Sequence, residues 1–286
     1  MIINDVFGVI GGSGVYDIDS LCDSSWVAVE TPFGNPSDEI LVGIIGDQKF
    51  AFLPRHGRGH RLSPTGINYR ANIWALKSLG VRRVLSVSAV GSLKEEHAPG
   101  DFVLVDQYID RTVQRVNSFF ANGCVGHVSM AHPVCADLND RVLQAAEQSD
   151  VLVHSGGTYL AIEGPQFSSQ AESYLYRSWG CDVIGMTNMP EAKLAREAGI
   201  CYSSLAMVTD YDCWHPDHDA VSVDQVVATL MSNSDKSKAI VEALGHLDSV
   251  CARSCGCSEA NAYAKITAEH AQDSQLVSQL QLILDK

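Results

Sequence analysis

Apolar residues in this chain fall into short runs that stop at glycine, separated by stretches in which they recur every three or four positions. Val6-Phe-Gly-Val-Ile10 is the first run. It breaks at once into Gly11-Gly-Ser-Gly14, a pattern that predicts a buried strand delivering a tight turn. Glu39–Ile45 and Lys49–Leu53 predict two more strands around a Gly46-Asp-Gln48 turn. Val81–Ala89, Phe102–Val105, Tyr159–Ile162, Val183–Met186 and Ile200–Val208 predict further ones. Between them, Ile67, Ala71, Ile73, Trp74, Ala75 and Leu79 keep helical spacing and stop at Gly80, as a C-capping glycine requires. Leu138–Gln148 and Ser168–Trp179 read as helices, the second ended by Gly180. Pro190 opens another that Gly199 closes, and Val221–Leu244 and Asn261–Leu284 carry long helical patterns.

Strands alternating with helices predict an α/β fold with a central mixed, mostly parallel β-sheet flanked by helices. There is no internal repeat or low-complexity tract, and the most linker-like piece, Gly245–Ala260, is short. Residues 1–286 are therefore expected to form one domain, with a C-terminal helical segment over about 246–286.

Composition narrows the function. Apolar residues make up 46% of the chain and charged ones 19%, which supplies a packed core and excludes a disordered chain. Thirty-four Asp and Glu against 20 Lys and Arg leave a formal net charge of −14, so no nucleic-acid surface is expected, because phosphate backbones need a basic face. An anionic ligand must be held by local donors instead. No run approaches the roughly 18 apolar residues of a membrane span, and no basic region precedes the first apolar run as in a signal peptide. Of nine cysteines only Cys251, Cys255 and Cys257 cluster in sequence, and the odd, scattered set reads as reduced thiols of a cytoplasmic protein.

Four strand exits carry chemistry. Gly11-Gly-Ser13-Gly14 offers successive backbone N–H groups and a hydroxyl to an anion. It lacks the Gly-Lys-Ser/Thr of a Walker A loop, and Asp17 stands where a dinucleotide fingerprint needs its third glycine, so a plain turn reads the same locally. Pro54-Arg-His-Gly-Arg-Gly-His60 crowds two arginines and two histidines past an apolar strand, where α/β folds bind ligands. Arg55 offers a planar fork to phosphate oxygens and His56 a further donor; the alternative is a solvated basic turn. Ser86-Val-Ser88-Ala-Val-Gly91-Ser92 is a third exit with hydroxyls. The fourth, Thr209-Asp210-Tyr-Asp212-Cys-Trp214, places two carboxylates two residues apart. They can accept from an exocyclic amine, and one can act as a general acid if its pKa is raised. His215, Asp217, His218 and Asp219 follow without any standard zinc spacing, and no metal is expected.

Eight segments occur in a telling order: Val9-Ile-Gly-Gly-Ser-Gly14, Thr31-Pro-Phe-Gly-Asn-Pro-Ser37, Arg55-His-Gly-Arg58, Asn68-Tyr-Arg-Ala-Asn-Ile-Trp-Ala-Leu76, Val87-Ser-Ala-Val-Gly-Ser-Leu93, Glu163-Gly-Pro-Gln-Phe-Ser-Ser169, Gly185-Met-Thr-Asn-Met-Pro-Glu191 and Thr209-Asp-Tyr-Asp-Cys-Trp214. Together they resemble the trimeric nucleoside phosphorylase family, most closely its methylthioadenosine-cleaving branch. The resemblance implies cleavage of a purine N-glycosidic bond with inorganic phosphate as co-substrate, without metal or organic cofactor. It implies phosphate held by Ser13, Arg55, His56, Ser88, the Ala89 backbone and Thr187, with ribose near Met186. The purine is expected against Phe167, Asp210 and Asp212, with Asp210 as the acid at N7. Relatives that use 6-oxopurines carry asparagine where a carboxylate stands here, so the pair implies adenine. The resemblance also implies a homotrimer in which His127 of a neighbouring chain, with Val223 and Val226, completes an apolar pocket at the 5′ end of the sugar.

Gln166 and Gln170 depart from the arginines usual in close relatives and remove two charges near Phe167, which bears on substrate preference. Adenosine, inosine and methylthioinosine are the alternative substrates. Cys255-x-Cys257 resembles an element that can be a disulfide in some heat-stable relatives, whereas a reducing cytoplasm favours free thiols. Two rival classes remain. A nucleoside hydrolase would use an N-terminal run of aspartates where glycine and serine stand here, and a non-catalytic nucleotide-binding module would leave Asp210 and Asp212 unexplained.

Overall fold

The structure is a computed structural model that describes residues 5–12, 14–15, 17–216, 223–247 and 255–284; the side chains of 223–226 and 228 lie outside that description. In chain order the strands and helices are β1 (Val6–Gly11), β2 (Cys22–Val27), β3 (Ile40–Ile45), β4 (Gln48–Pro54), α1 (Tyr69–Ser78), β5 (Val81–Ser92), β6 (Phe102–Leu104) and β7 (Gln107–Asp110). There follow α2 (Ala136–Gln148), β8 (Val153–Ser155), β9 (Thr158–Ala161), α3 (Gln170–Ser178), β10 (Val183–Gly185), α4 (Asn188–Glu197), β11 (Cys201–Asp210), α5 (Val223–His246) and α6 (Ser274–Leu284).

One sheet holds all the strands in the order β2-β3-β4-β1-β5-β10-β9-β7, with β11, β6 and β8 branching from β5. The pairs β1–β4, β1–β5, β5–β11, β9–β10, β6–β8 and β7–β9 are parallel, while β2–β3, β3–β4, β5–β10 and β6–β11 are antiparallel. The sheet is thus mixed and mostly parallel, as expected. Alternation along each strand divides the core. Val6, Ile10, Ala51 and Leu53 pack with α1, α4 and α6 on one face, and Phe7, Val9, Phe50 and Phe52 with α2 and α5 on the other. Both faces are covered, which is why these strands read as continuous apolar runs.

β5 is the strand that gathers the others. It pairs with β1 along its first half and with β11 from Arg83 to Gly91, and its last residues, Gly91 and Ser92, pair with β10. The C-terminal ends of β1, β4, β5 and β11 are thereby gathered at one edge of the sheet.

One expectation needs correction. The spacing over Asn261–Leu284 predicts one long helix, but only α6 is α-helical, preceded by short 3₁₀ turns at Gly256–Glu259 and Glu269–Ala271. The intervening backbone bonds to another loop instead of to itself: Ile266 N–H donates to the Val125 carbonyl at 3.0 Å, and His127 N–H to that of Ala264 at 3.0 Å. Asp273 then starts α6 by accepting from the N–H groups of Gln275 and Leu276. Three strands, β2, β7 and β8, carry no apolar run and are not predicted by the sequence pattern. β2 is an exposed edge strand reading Cys-Asp-Ser-Ser-Trp-Val, whose partner β3 supplies the order that its own pattern lacks. No helix among the described residues is long and apolar enough to cross a membrane.

Candidate active site

The end of β4 is tied to the end of β1 by the Arg55 N–H, which donates to the Gly11 carbonyl at 2.9 Å. Ser13 itself lies outside the described residues. Arg55 is completely buried. Its Nε and Nη2 hold the Glu191 carboxylate at 2.9 and 3.1 Å, Nη2 also donates to Ser86 Oγ (2.6 Å) and the Ile10 carbonyl (3.3 Å), and Nη1 donates to the Val87 carbonyl (3.0 Å). A guanidinium taken from water needs a counter-charge: burial pulls the Arg55 pKa down, and Glu191 more than offsets it, leaving it above the ordinary arginine value. The planar fork therefore faces protein. One of its five N–H groups, on Nη1, has no acceptor among the described residues.

His56 is deprived of water by burial, which lowers its pKa to about 4, so the ring is neutral near pH 7. Nδ1 lies 2.8 Å from the Leu62 carbonyl, and a carbonyl only accepts, so Nδ1 carries the proton. Nε2 is then a lone pair. The side chain expected as a donor is an acceptor in this state, because its single N–H is already engaged. His60 stacks on it at 4.2 Å between ring centroids.

On β5, Ser88 Oγ donates to Asn188 Oδ1 at 3.1 Å, and Asn188 Nδ2 reaches Ser86, Ser204 and the Tyr202 hydroxyl. Tyr202 and Ser86 both donate to Glu191. One buried polar network thus joins the ends of β4 and β5 to the start of α4. Thr187 precedes α4 and makes no side-chain capping bond, and helical geometry resumes at Pro190 after the extended Met189. Ala89 is half-buried beside Ser88. Tyr159, which the sequence pattern does not single out, brings a buried hydroxyl with no hydrogen-bond partner among the described residues against Gly185, where an added Cβ would collide with its oxygen.

The last residue of β11 is Asp210. Its Oδ1 accepts from the Asp212 N–H at 2.8 Å and its Oδ2 from the Thr209 hydroxyl at 2.7 Å. Gly91 of β5 allows this approach, since a Cβ there would meet Asp210 Oδ1 at 2.9 Å. Burial raises the pKa of both Asp210 and Asp212, and repulsion from Asp212 raises Asp210 further. Asp212 has a left-handed φ of 52°, which turns the chain back toward the 167–169 segment, where Cys213 Sγ donates to the Ser168 carbonyl at 3.3 Å. Phe167 lies on that segment, 47% exposed, between exposed Gln166 and the Ser169–Glu172 capping box of α3.

Arg115, also without a sequence signal, pins these parts together. It donates to the carbonyls of Glu163 (2.7 Å), Met186 and Met189 (2.6 Å) and pairs with the Glu163 carboxylate at 3.1 Å. Glu163 also accepts from Thr65 and from the N–H groups of Val113 and Gln114, and these bonds hold its pKa down at about 2 despite burial. One side chain thus fixes both the Met186–Thr187 turn and the root of the Phe167 loop. His127 is exposed. Val223 and Val226 stand in the first turn of α5, their side chains outside the described residues. His215 pairs with Glu95 at 3.1 Å; Asp217, His218 and Asp219 are outside the described residues.

Comparison with known proteins matches residues 6–245 to the phosphorylase superfamily. A Cereibacter sphaeroides protein named S-methyl-5′-thioadenosine phosphorylase is 57% identical over 282 residues, 97% of this chain and 97% of its own. One of the same name from Rhodospirillum rubrum is 62% identical over 239 residues, 84% of this chain and 81% of its own. The crystal structure of a methylthioadenosine phosphorylase sourced from an Antarctic soil metagenomic library has a TM-score of 0.93 at 46% identity, covering 99% of this chain and 100% of the other. That of the Schistosoma mansoni methylthioadenosine phosphorylase in complex with adenine has a TM-score of 0.84 at 37% identity, covering 90% and 96%.

Proposed function

The chain belongs to the phosphorylase superfamily, and on that footing we propose that it cleaves S-methyl-5′-thioadenosine with inorganic phosphate to adenine and 5-methylthioribose 1-phosphate. The observation that carries this reading is the buried carboxyl of Asp210, its pKa raised, beside the β5 exit that bears Ser88.

In this reading the free Nη1 N–H of Arg55, the Thr187 hydroxyl, the Ser88 hydroxyl once turned away from Asn188, the Ala89 N–H and Ser13 hold phosphate beneath the sugar. The lone pair of His56 Nε2 accepts a hydrogen bond from the P–OH of monohydrogen phosphate, which keeps its proton while its other oxygens stay free to attack. The purine stacks on Phe167, and the ribose rests on Met186. As the C1′–N9 bond breaks, protonated Asp210 gives its proton to N7 and adenine leaves neutral, while a phosphate oxygen bonds to C1′. Asp212 accepts from the 6-amino group. No metal or organic cofactor takes part in these steps. A homotrimer, in which a neighbour's His127 joins Val223 and Val226 around the methylthio group, and a cytoplasmic location complete the proposal.

Adenine release measured with and without added phosphate tests the reaction class. Strict dependence supports phosphorolysis, and release in its absence means hydrolysis. Turnover of methylthioadenosine above adenosine and methylthioinosine supports the substrate, and preference for the inosine analogue refutes it.

A further inference from the structure

Four cysteines that are far apart in sequence meet in space. Cys135 precedes α2, Cys201 begins β11, and Cys255 and Cys257 flank Gly256 at the 3₁₀ turn after α5. Their four Sγ atoms all lie within 4.8 Å of one another, and Cys201 and Cys255 approach to 3.4 Å. Three of the four side chains are buried and the fourth is half-buried.

We propose that Cys135, Cys201, Cys255 and Cys257 bind one zinc ion as a closed structural site. A tetrahedron of thiolates with arms of about 2.3 Å has edges of about 3.8 Å, so the four sulfurs are grouped as zinc would hold them after a small contraction. Pairwise disulfides would draw two sulfurs to about 2.05 Å and have no need of four mutual approaches.

Charge supplies a second observation. Arg196 Nη1 lies 3.7 Å from Cys257 Sγ, and Arg196 Nε is buried with no acceptor among the described residues. Four neutral thiols offer a guanidinium little. Four thiols that lose four protons to bind Zn²⁺ make a unit of net charge −2, which a neighbouring guanidinium stabilises.

With four protein ligands the site has no open position, so its role is structural. It fastens the segment that begins at Cys255 to the starts of β11 and α2. Asn261 continues that attachment by donating to the carbonyls of Glu197 (2.8 Å) and Ile283 (2.7 Å). Asp210 is at the far end of β11, so the ion takes no part in the proposed reaction, and the inference stands whether or not that reaction is right.

The test is zinc content by elemental mass spectrometry on full-length protein from zinc-supplemented culture, purified with reductant and without chelator. The expected result is about one zinc per chain, retained in the exposed Cys22→Ser variant and reduced roughly tenfold or more in Cys257→Ser. Cobalt-substituted wild-type protein, which needs no variant to fold, should show the intense visible bands of tetrahedral thiolate coordination. Wild-type protein with under about a tenth of a zinc per chain and no such bands overturns the proposal. So does an intact mass showing two hydrogens lost for a disulfide among these cysteines.

Discussion

Arg55 and Glu191, 136 positions apart, form a two-pronged ion pair at 2.9 and 3.1 Å, with each residue only 1% exposed. The pair joins the β4 exit to α4, and with them the His56 and Thr187 sides of the proposed phosphate site. Losing one partner strands a buried charge, whereas losing both need not be severe. Glu191→Ala should lower unfolding free energy by about 3–5 kcal/mol. The double variant Arg55→Met with Glu191→Leu should recover part of that loss in denaturant titrations while remaining inactive.

In the proposed reaction Asp210 gives the rate its alkaline limb. Its pKa is raised by burial and by Asp212, so the protonated acid persists above the usual carboxylate range and is lost as pH rises through the raised value. The same shift stabilises the fold fully below the unfolded pKa and ceases to do so as pH rises through the folded one. Asp210→Asn should cut kcat by about 10²–10⁴-fold and remove the limb from the pH–rate profile. Near-normal turnover would dismiss Asp210 as the acid.

His56 has the opposite sign. Its folded pKa of about 4 lies below the ordinary 6.5, so its stabilisation is complete above 6.5 and is lost as pH falls through about 4. The loss is at most about 3 kcal/mol. Nitrogen-15 spectra of the free protein should show one histidine neutral at pH 6 with its proton on Nδ1, missing in His56→Asn. A ring titrating near 6.5 would contradict the proposed acceptor role.

Arg115 should couple the two substrates. Arg115→Met removes the donor shared by the Glu163, Met186 and Met189 carbonyls, loosening the phosphate side and the base side together. Steady-state kinetics should show kcat/KM falling by about 10–100-fold for phosphate and nucleoside alike. A loss confined to one substrate would show that the clamp acts on that side only.

Much of this was legible along the chain because burial repeats locally, every second residue in a strand and about every 3.6 in a helix. The runs at Val6–Ile10, Lys49–Leu53 and Ile200–Val208 marked central strands, and their exits marked the candidate site, since glycine, Arg55-His56 and Asp210 stand where parallel strands end. Edge strands such as β2 were illegible because their order comes from a partner strand. The C-terminal segment misled because its helical spacing cannot reveal that its backbone bonds to the 125–127 loop.

By itself the sequence determined the α/β layering, the strand ends that carry chemistry and the acidic surface that leaves any anion to a few local donors. Tertiary structure alone decided what those residues can do. It turned the Arg55 fork toward Glu191, gave the single N–H of His56 to Leu62, buried Asp210 enough to raise its pKa, and drew Cys135, Cys201, Cys255 and Cys257 together. The physical reason is common to all four. Solvation, protonation and pairing depend on which neighbours the fold sets against a side chain, from Leu62 six positions along to Glu191 136 positions away, and no periodic pattern encodes that.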